Sequence, residues 1–179
     1  MAWTAPMTAV AGATFSAAQF NAHVRDNLNE TAPAKATTAS QVPVSTGANA
    51  IAMRSPLTAR VDANESTTST SYVNLATPGP VATVTTGTIA LVWFAAEIAN
   101  NTSNSLAKCS VEVSGASSVA VSDAWMLSMD GNAANNYSRG SMCHTFTGLT
   151  PGSNTFTMKY AVGSNTGSFK TREINVFPL

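Results

Sequence analysis

The 179-residue sequence predicts a mainly β protein: a C-terminal antiparallel β-sandwich, jelly-roll-like, preceded by an extended N-terminal arm with one short α-helix. Three observations predict this. From about residue 58 onward, short apolar runs alternate with polar residues at a period of two. Clusters of Gly, Pro, Asn and Ser separate those runs at the spacing of a sandwich. The stretch that carries both a helix cap and a helical period lies near the N-terminus, at 16–28. The chain therefore divides into an anchoring arm with a short helix (1–30), an extended linker or shaft-like segment (31–57) and the sandwich (58–179).

The arm opens with Trp3-Thr-Ala-Pro-Met7, which has no secondary-structure period but offers two large apolar anchors. Ser16-Ala-Ala-Gln19 is a capping box, in which Ser16 caps the amide of Gln19 and Gln19 reaches back to the amide of Ser16. Phe15 and Phe20 flank the cap as a hydrophobic staple. Ala17, Phe20, Val24 and Leu28 then recur at spacings of three and four, giving one apolar stripe, and Pro33 forbids continuation. A helix of about 12 residues, roughly 18 Å long, is marginal alone because nucleation is costly. Its stripe has to be covered by the chain's own domain, by a partner surface, or by copies of itself in a bundle.

The segment 31–57 is rich in Ala, Thr, Ser and Pro and has no sustained period. It reads either as a linker or as a small strand–turn–strand unit, because Gln41-Val-Pro-Val44 and Ala50-Ile-Ala-Met53 flank a turn at Thr46-Gly-Ala-Asn49. In the sandwich, Thr88–Ile98 is the most apolar run and the expected central strand. Alternation continues around Cys109–Val113, Trp125–Met129, Met142–Phe146 and Phe156–Tyr160, and Ile174, Val176 and Leu179 close the chain. Eight or so such strands make an antiparallel sandwich, most simply a jelly roll.

Composition excludes several classes of function. Nine basic and nine acidic residues give zero net charge, and charged residues make up 10%, against roughly 25% in an ordinary domain. With no basic run, neither nucleic acid nor an anionic membrane is the expected partner. No apolar stretch reaches the ~18 residues of a membrane span, and the start lacks the charged and apolar regions of a signal peptide. Ala, Thr and Ser supply about 40% of the chain, a low-charge surface that suits a protein repeated in an assembly or working outside a cell.

No spacing supports a catalytic constellation, a metal site or a phosphate loop, so neither catalysis nor a cofactor is expected. Cys109 and Cys143 lack metal-ligand spacing and read as unpaired strand cysteines, with a single bridge as the alternative. The five N-x-S/T triplets are what chance gives in so Asn-, Ser- and Thr-rich a chain. His144 is expected to be a partly buried strand histidine, Asp130-Gly131 a turn and Asp123 a strand-edge residue. Trp125, Asp130, Asn132, Asn136 and Tyr137 have the residue types of a glycan contact, and the alternative is a core Trp125 beside a merely polar loop.

The stretch Trp3-Thr-Ala-Pro-Met, followed by Thr14-Phe-Ser-Ala-Ala-Gln-Phe-Asn-Ala-His-Val-Arg-Asp-Asn-Leu28, resembles a leader of tailed-phage virion proteins of the actinobacteriophage type. Such leaders occur on head-decoration, head-fibre and minor tail proteins. Ser45–Arg54 is similar to a fragment of phage fibre shafts, without the usual preceding Gly-Asp. Gly148–Tyr160 resembles the last strands of phage-associated sandwiches, and together the matches cover about a third of the chain. The resemblance implies a non-enzymatic virion component on the outer surface of the head or tail. It further implies a homotrimer, held to the major capsid protein or to tail proteins by its arm and displaying the sandwich. The anchoring and oligomer residues would be Trp3, Met7, Phe15, Phe20, Val24 and Leu28. The alternative is a minor tail protein that binds a host-surface glycan during attachment.

Overall fold

The computed structural model describes residues 3–131 and 133–179. The chain forms two compact units, one ending at Ser55 and the other running from Pro56 to Leu179.

In the first unit the capping box forms as its sequence dictates. The Gln19 amide donates to Ser16 Oγ at 3.2 Å, and the Ser16 amide donates to Gln19 Oε1 at 2.9 Å. The helix runs through three turns of unequal pitch: α-helical over Ala17–Phe20, π-helical over Asn21–Arg25, and α-helical again over Asp26–Asn29. The middle turn widens because the Asp26 amide donates to the carbonyl of Asn21, five residues back. Pro33 then sits inside a separate single turn, Ala32–Lys35, where its missing N–H costs nothing. The two apolar snippets of the middle segment pair as a hairpin, β1 (Val42–Gly47) with β2 (Ala50–Arg54). Asn49 turns it in the left-handed region at φ 55°.

The second unit is an antiparallel β-sandwich. Its strands are β3 (Leu57–Val61), β4 (Glu65–Thr67), β5 (Val81–Thr86), β6 (Ile89–Asn100), β7 (Leu106–Gly115), β8 (Leu127–Asp130), β9 (Ser138–Thr147), β10 (Gly152–Val162) and β11 (Gly167–Pro178). One sheet has the order β5-β10-β7-β8, and the other β3-β11-β6-β9 with β4 also on β11. The antiparallel pairs are nested. β3 and β4 pair with β11, β5 with β10, β6 with β9 and β7 with β8. A long hairpin rolled over so that its paired arms alternate between two sheets gives this order, which is the jelly roll.

The core fills from alternating positions. Ala90, Val92, Phe94, Ala96 and Ile98 of β6 are fully buried and meet Val111, Phe156, Met158 and Tyr160 of the facing sheet. Each fully buried large side chain contributes about 1.5–3 kcal/mol. The register of β11 against β6 shifts between Lys170 and Glu173, where Thr171 takes φ 50°. This bulge turns the Arg172 side chain inward, and the residue is fully buried. Its Nη2 pairs with Glu65 Oε2 at 2.8 Å, and the guanidinium lies 5.3 Å from the centre of the Tyr160 ring. The Tyr160 hydroxyl donates to the Gly79 carbonyl at 2.8 Å. One buried cation thus ties β4 and the long connection before β5 to β11.

Candidate functional site

The first unit is built around the link between arm and helix. The Thr4 amide donates to Asn27 Oδ1 at 2.8 Å, while Asn27 Nδ2 donates to the Thr4 carbonyl at 3.1 Å and to the His23 carbonyl at 3.1 Å. One side-chain amide thus satisfies both backbone groups of Thr4, as a neighbouring strand would. The Trp3 amide donates to the carbonyl of Asn49 at 2.8 Å, so the arm also joins the hairpin turn. The two halves of the leader motif, the Trp3-Thr4 pair and the Asn27-Leu28 pair, are therefore adjacent in space although 23 residues apart.

This arrangement changes which residues the helix buries. The period of Ala17, Phe20, Val24 and Leu28 predicts an apolar packed face, but the helix residue that is buried is Asn27. The π turn is the physical reason, since an extra residue in one turn rotates all that follow by about 100°. Phe20 and Leu28 are 49% and 60% exposed, and Val24 is half-buried. Phe15, 52% exposed, meets Phe20 edge to face with ring centres 6.2 Å apart, so the staple forms on the surface. Between arm and helix start lies an apolar groove of about 360 Å³, lined by Met7, Val10, Ala13 and Phe15. Met7 is half-buried there, and Trp3 stays 40% exposed beside Asn49 and Ile51. Several of the unit's large apolar side chains, Trp3, Phe15, Phe20 and Leu28, are thus exposed.

Of the residues with glycan-binding character, Trp125 stands apart from the 130–137 loop. Trp125 lies in a short 3₁₀ turn, Asp123–Trp125, and its indole N–H donates to the Val111 carbonyl at 3.1 Å. Its ring stacks on His144 at 4.8 Å and meets Phe146 edge-on at 5.4 Å. Asp130 ends β8, and Asn136 is exposed on the following loop. Asn132 lies outside the described residues. Tyr137 donates its hydroxyl to Asn64 Oδ1 at 3.1 Å, and the Lys170 ammonium sits 4.1 Å from its ring centre. The strand β8 separates Trp125 from the loop by about 13 Å of rise.

Both cysteines are free. Cys109 is buried in β7, where burial pushes its thiol up, and Cys143 is exposed on β9. Asp123 is a turn residue rather than a strand-edge one. It accepts from both Lys108 Nζ, at 2.8 Å, and the Tyr72 hydroxyl, at 2.6 Å, which together hold its carboxyl below the usual range. Burial, and then Asp123, pushes the Tyr72 hydroxyl up. Among the described residues no three His, Cys, Asp or Glu side chains come together as metal ligands would. No helix of the described residues is long and apolar enough to cross a membrane.

No protein-family model matches the sequence, and no curated protein matches it. Among solved structures the chain is similar to the VP2 subviral particle of infectious bursal disease virus, with a TM-score of 0.48 and 9% identity over 76% of this chain and 37% of that one. The Gx strain of the same virus gives a TM-score of 0.47 and 9% identity over 77% and 37%. The chain spans little more than a third of those viral chains. A carbohydrate-binding module from Cellvibrio mixtus lichenase 5A, solved with cellotriose, gives a TM-score of 0.30 and 11% identity over 81% of this chain and 92% of that one.

The sequence pointed to the anchor residues through the capping box and the helical period. It gave no sign of Asn27, because a buried side-chain amide that mimics a strand partner has no period. Trp93 and Phe177, both on a solvent face of the sandwich, were missed because a continuously apolar run reads as a strand covered on both faces.

Proposed function

We propose that the chain is a non-enzymatic structural protein of a tailed-phage virion, a homotrimer that the N-terminal unit anchors to a capsid or tail surface and that displays the jelly roll outward. The observation that carries this reading is the N-terminal unit itself. The Thr4–Asn27 pair ties the arm to the helix while Phe15, Phe20 and Leu28 remain 52%, 49% and 60% exposed. Several large apolar side chains exposed on one small unit are a ready-made contact for another surface. The neutral chain, with 10% charged residues, suits close display of many copies, where like charge would repel.

The test is to count copies of the chain per purified virion by quantitative mass spectrometry against the major capsid protein, for wild type and for the double variant Phe20→Ser, Leu28→Ser. A ratio near one per capsid subunit, or one per few, with loss of the variant from particles, supports capsid decoration. A few copies per particle supports a tail location and favours the glycan-binding alternative. Absence from virions overturns both.

A further inference from the structure

One edge of the sandwich is open, and strand register fixes which backbone groups lie along it. The amide of Leu179 donates to the Ile89 carbonyl at 3.0 Å, and Pro178, which has no N–H, lies opposite Ala90. Odd-numbered residues of β6 therefore bond to β11 and even-numbered ones to β9. On β9 the even-numbered residues face β6, so the N–H and C=O groups of Arg139, Ser141, Cys143, Thr145 and Thr147 line the outer edge. All five residues are exposed, and β9 is the last strand of its sheet. Among the described residues no backbone partner reaches these groups. The other edges are blunted. β8 has four residues, β5 has six and follows Pro80, and β3 has five and follows Pro56. β9 pairs with β6 over ten residues with no proline and no bulge.

We infer that β9 pairs antiparallel with β9 of a second copy of the chain, joining their two β3-β11-β6-β9 sheets edge to edge. A row of open N–H and C=O groups is chemically specific for another extended strand. The sequence of β9 fits itself. With a two-fold axis at Cys143, the edge-facing residues meet as Cys143 with Cys143, Ser141 with Thr145 and Arg139 with Thr147, and each such pair exchanges two hydrogen bonds. Arg139 is the one Lys, Arg, Asp or Glu of β9, and its two copies lie about 27 Å apart at opposite ends of the paired strands, so no like charges face each other. On the inward side Gly140 meets Phe146 and Met142 meets His144, which sets the smallest residue against the largest. Half-buried Trp125, Met129 and Met142 sit at this rim of the core, where Trp125 stacks on His144 and Met129 lies against Gly140. An added strand covers that apolar rim while it bonds the edge. The contact lies in the second unit and does not rest on the anchoring role.

Cys143 lies on the axis and is the exposed one of the two thiols, so it reports the pairing directly. A bismaleimide with a spacer of about 8 Å bridges facing residues whose Cα atoms are ~5.5 Å apart. The experiment treats the native full chain with this reagent and reads crosslinked dimer on a denaturing gel. The samples are wild type, Thr145→Pro, a doubly basic variant (Ser141→Lys, Thr145→Lys), a mixed-charge variant (Ser141→Lys, Thr145→Glu) and the anchor variant (Phe20→Ser, Leu28→Ser). Wild type and the anchor variant are expected to crosslink. Thr145→Pro removes an edge N–H that β6 does not use, and the doubly basic variant sets like charges opposite each other on both sides of the axis. Each should give about tenfold less dimer. The mixed-charge variant sets opposite charges face to face and should recover the wild-type yield. Absence of dimer in the wild type overturns the inference. So does dimer that persists in both Thr145→Pro and the doubly basic variant, or a mixed-charge variant that fails as the doubly basic one does. Loss of dimer in the anchor variant also overturns it, because the contact would then belong to the first unit.

Discussion

Asn27 and Thr4 form a closed pair. Asn27 Oδ1 accepts from the Thr4 amide at 2.8 Å and Nδ2 donates back to the Thr4 carbonyl at 3.1 Å, so one helix side chain holds the arm in place. The pair joins the Trp3-Thr4 arm to the Asp26–Asn29 turn of the helix. Each supplies the hydrogen bonds that the other lacks.

Asn27→Leu tests this directly. The substitution removes both the acceptor of the Thr4 amide and the donor to the Thr4 and His23 carbonyls. The expected local cost is about 1–3 kcal/mol. Hydrogen exchange should show the Thr4 amide losing protection, with the residues of the sandwich unchanged. Full protection at Thr4 in the variant would refute the pairing.

Arg172 and Glu65 should behave non-additively. Arg172→Met removes a fully buried cation, and Glu65→Gln leaves that cation without its countercharge, so each alone should destabilise the second unit by about 3–5 kcal/mol. The double variant should lose less than the sum of the two, measured by denaturant midpoints. Burial alone would raise the Glu65 carboxyl. The hydroxyl and amide of Thr77 and the charge of Arg172 outweigh it and hold the carboxyl below its usual value. A lowered acid is stabilising above its unfolded pKa of about 4.3, and that contribution is lost as pH falls through the lower folded value. The wild type should therefore lose stability below about pH 4 in a way that Glu65→Gln does not.

His144 carries the opposite charge type with the same pH sign. Burial against Trp125 disfavours its cationic form and lowers its pKa. The neutral ring is the native one, so its contribution is complete above the unfolded pKa of about 6.5 and is lost as pH falls through the folded value. Tryptophan fluorescence and thermal midpoint should both change over that window in the wild type, and the change should vanish in His144→Gln. A pH-independent midpoint in the wild type between neutral and mildly acidic pH would refute it.

The two thiols should separate cleanly by reactivity. In dilute native protein one equivalent, Cys143, is expected to react with a thiol reagent, and Cys109 only after denaturation, because burial both shields it and disfavours its thiolate. Reaction of two equivalents in the native state would contradict the burial of β7.

Much of the sandwich was legible because its signals are local. The runs around Cys109–Val113, Met142–Phe146 and Phe156–Tyr160 lie in β7, β9 and β10, and all of the run Thr88–Ile98 but its first residue lies in β6, between β11 and β9 in its sheet. Trp125 was expected within a strand and instead lies in the 3₁₀ turn before β8, where the Ser122 hydroxyl accepts from the Ala124 amide. The strands β3, β4 and β5 went unread, since Thr-, Ser- and Ala-rich segments bury little apolar surface and leave a faint period.

By itself, then, the sequence determined the sandwich and the capped helix start, because alternation and capping boxes act through neighbours in the chain, while it left the 31–57 segment open between a linker and a hairpin. Tertiary structure decided the rest. It set the nested order of the sheets, the inward turn of Arg172, the burial of Asn27 in place of Leu28, and the exposure of Trp93 and Phe177. Each of these depends on what lies across a fold from a residue, and the identity of that neighbour is fixed only when strands distant in sequence pair.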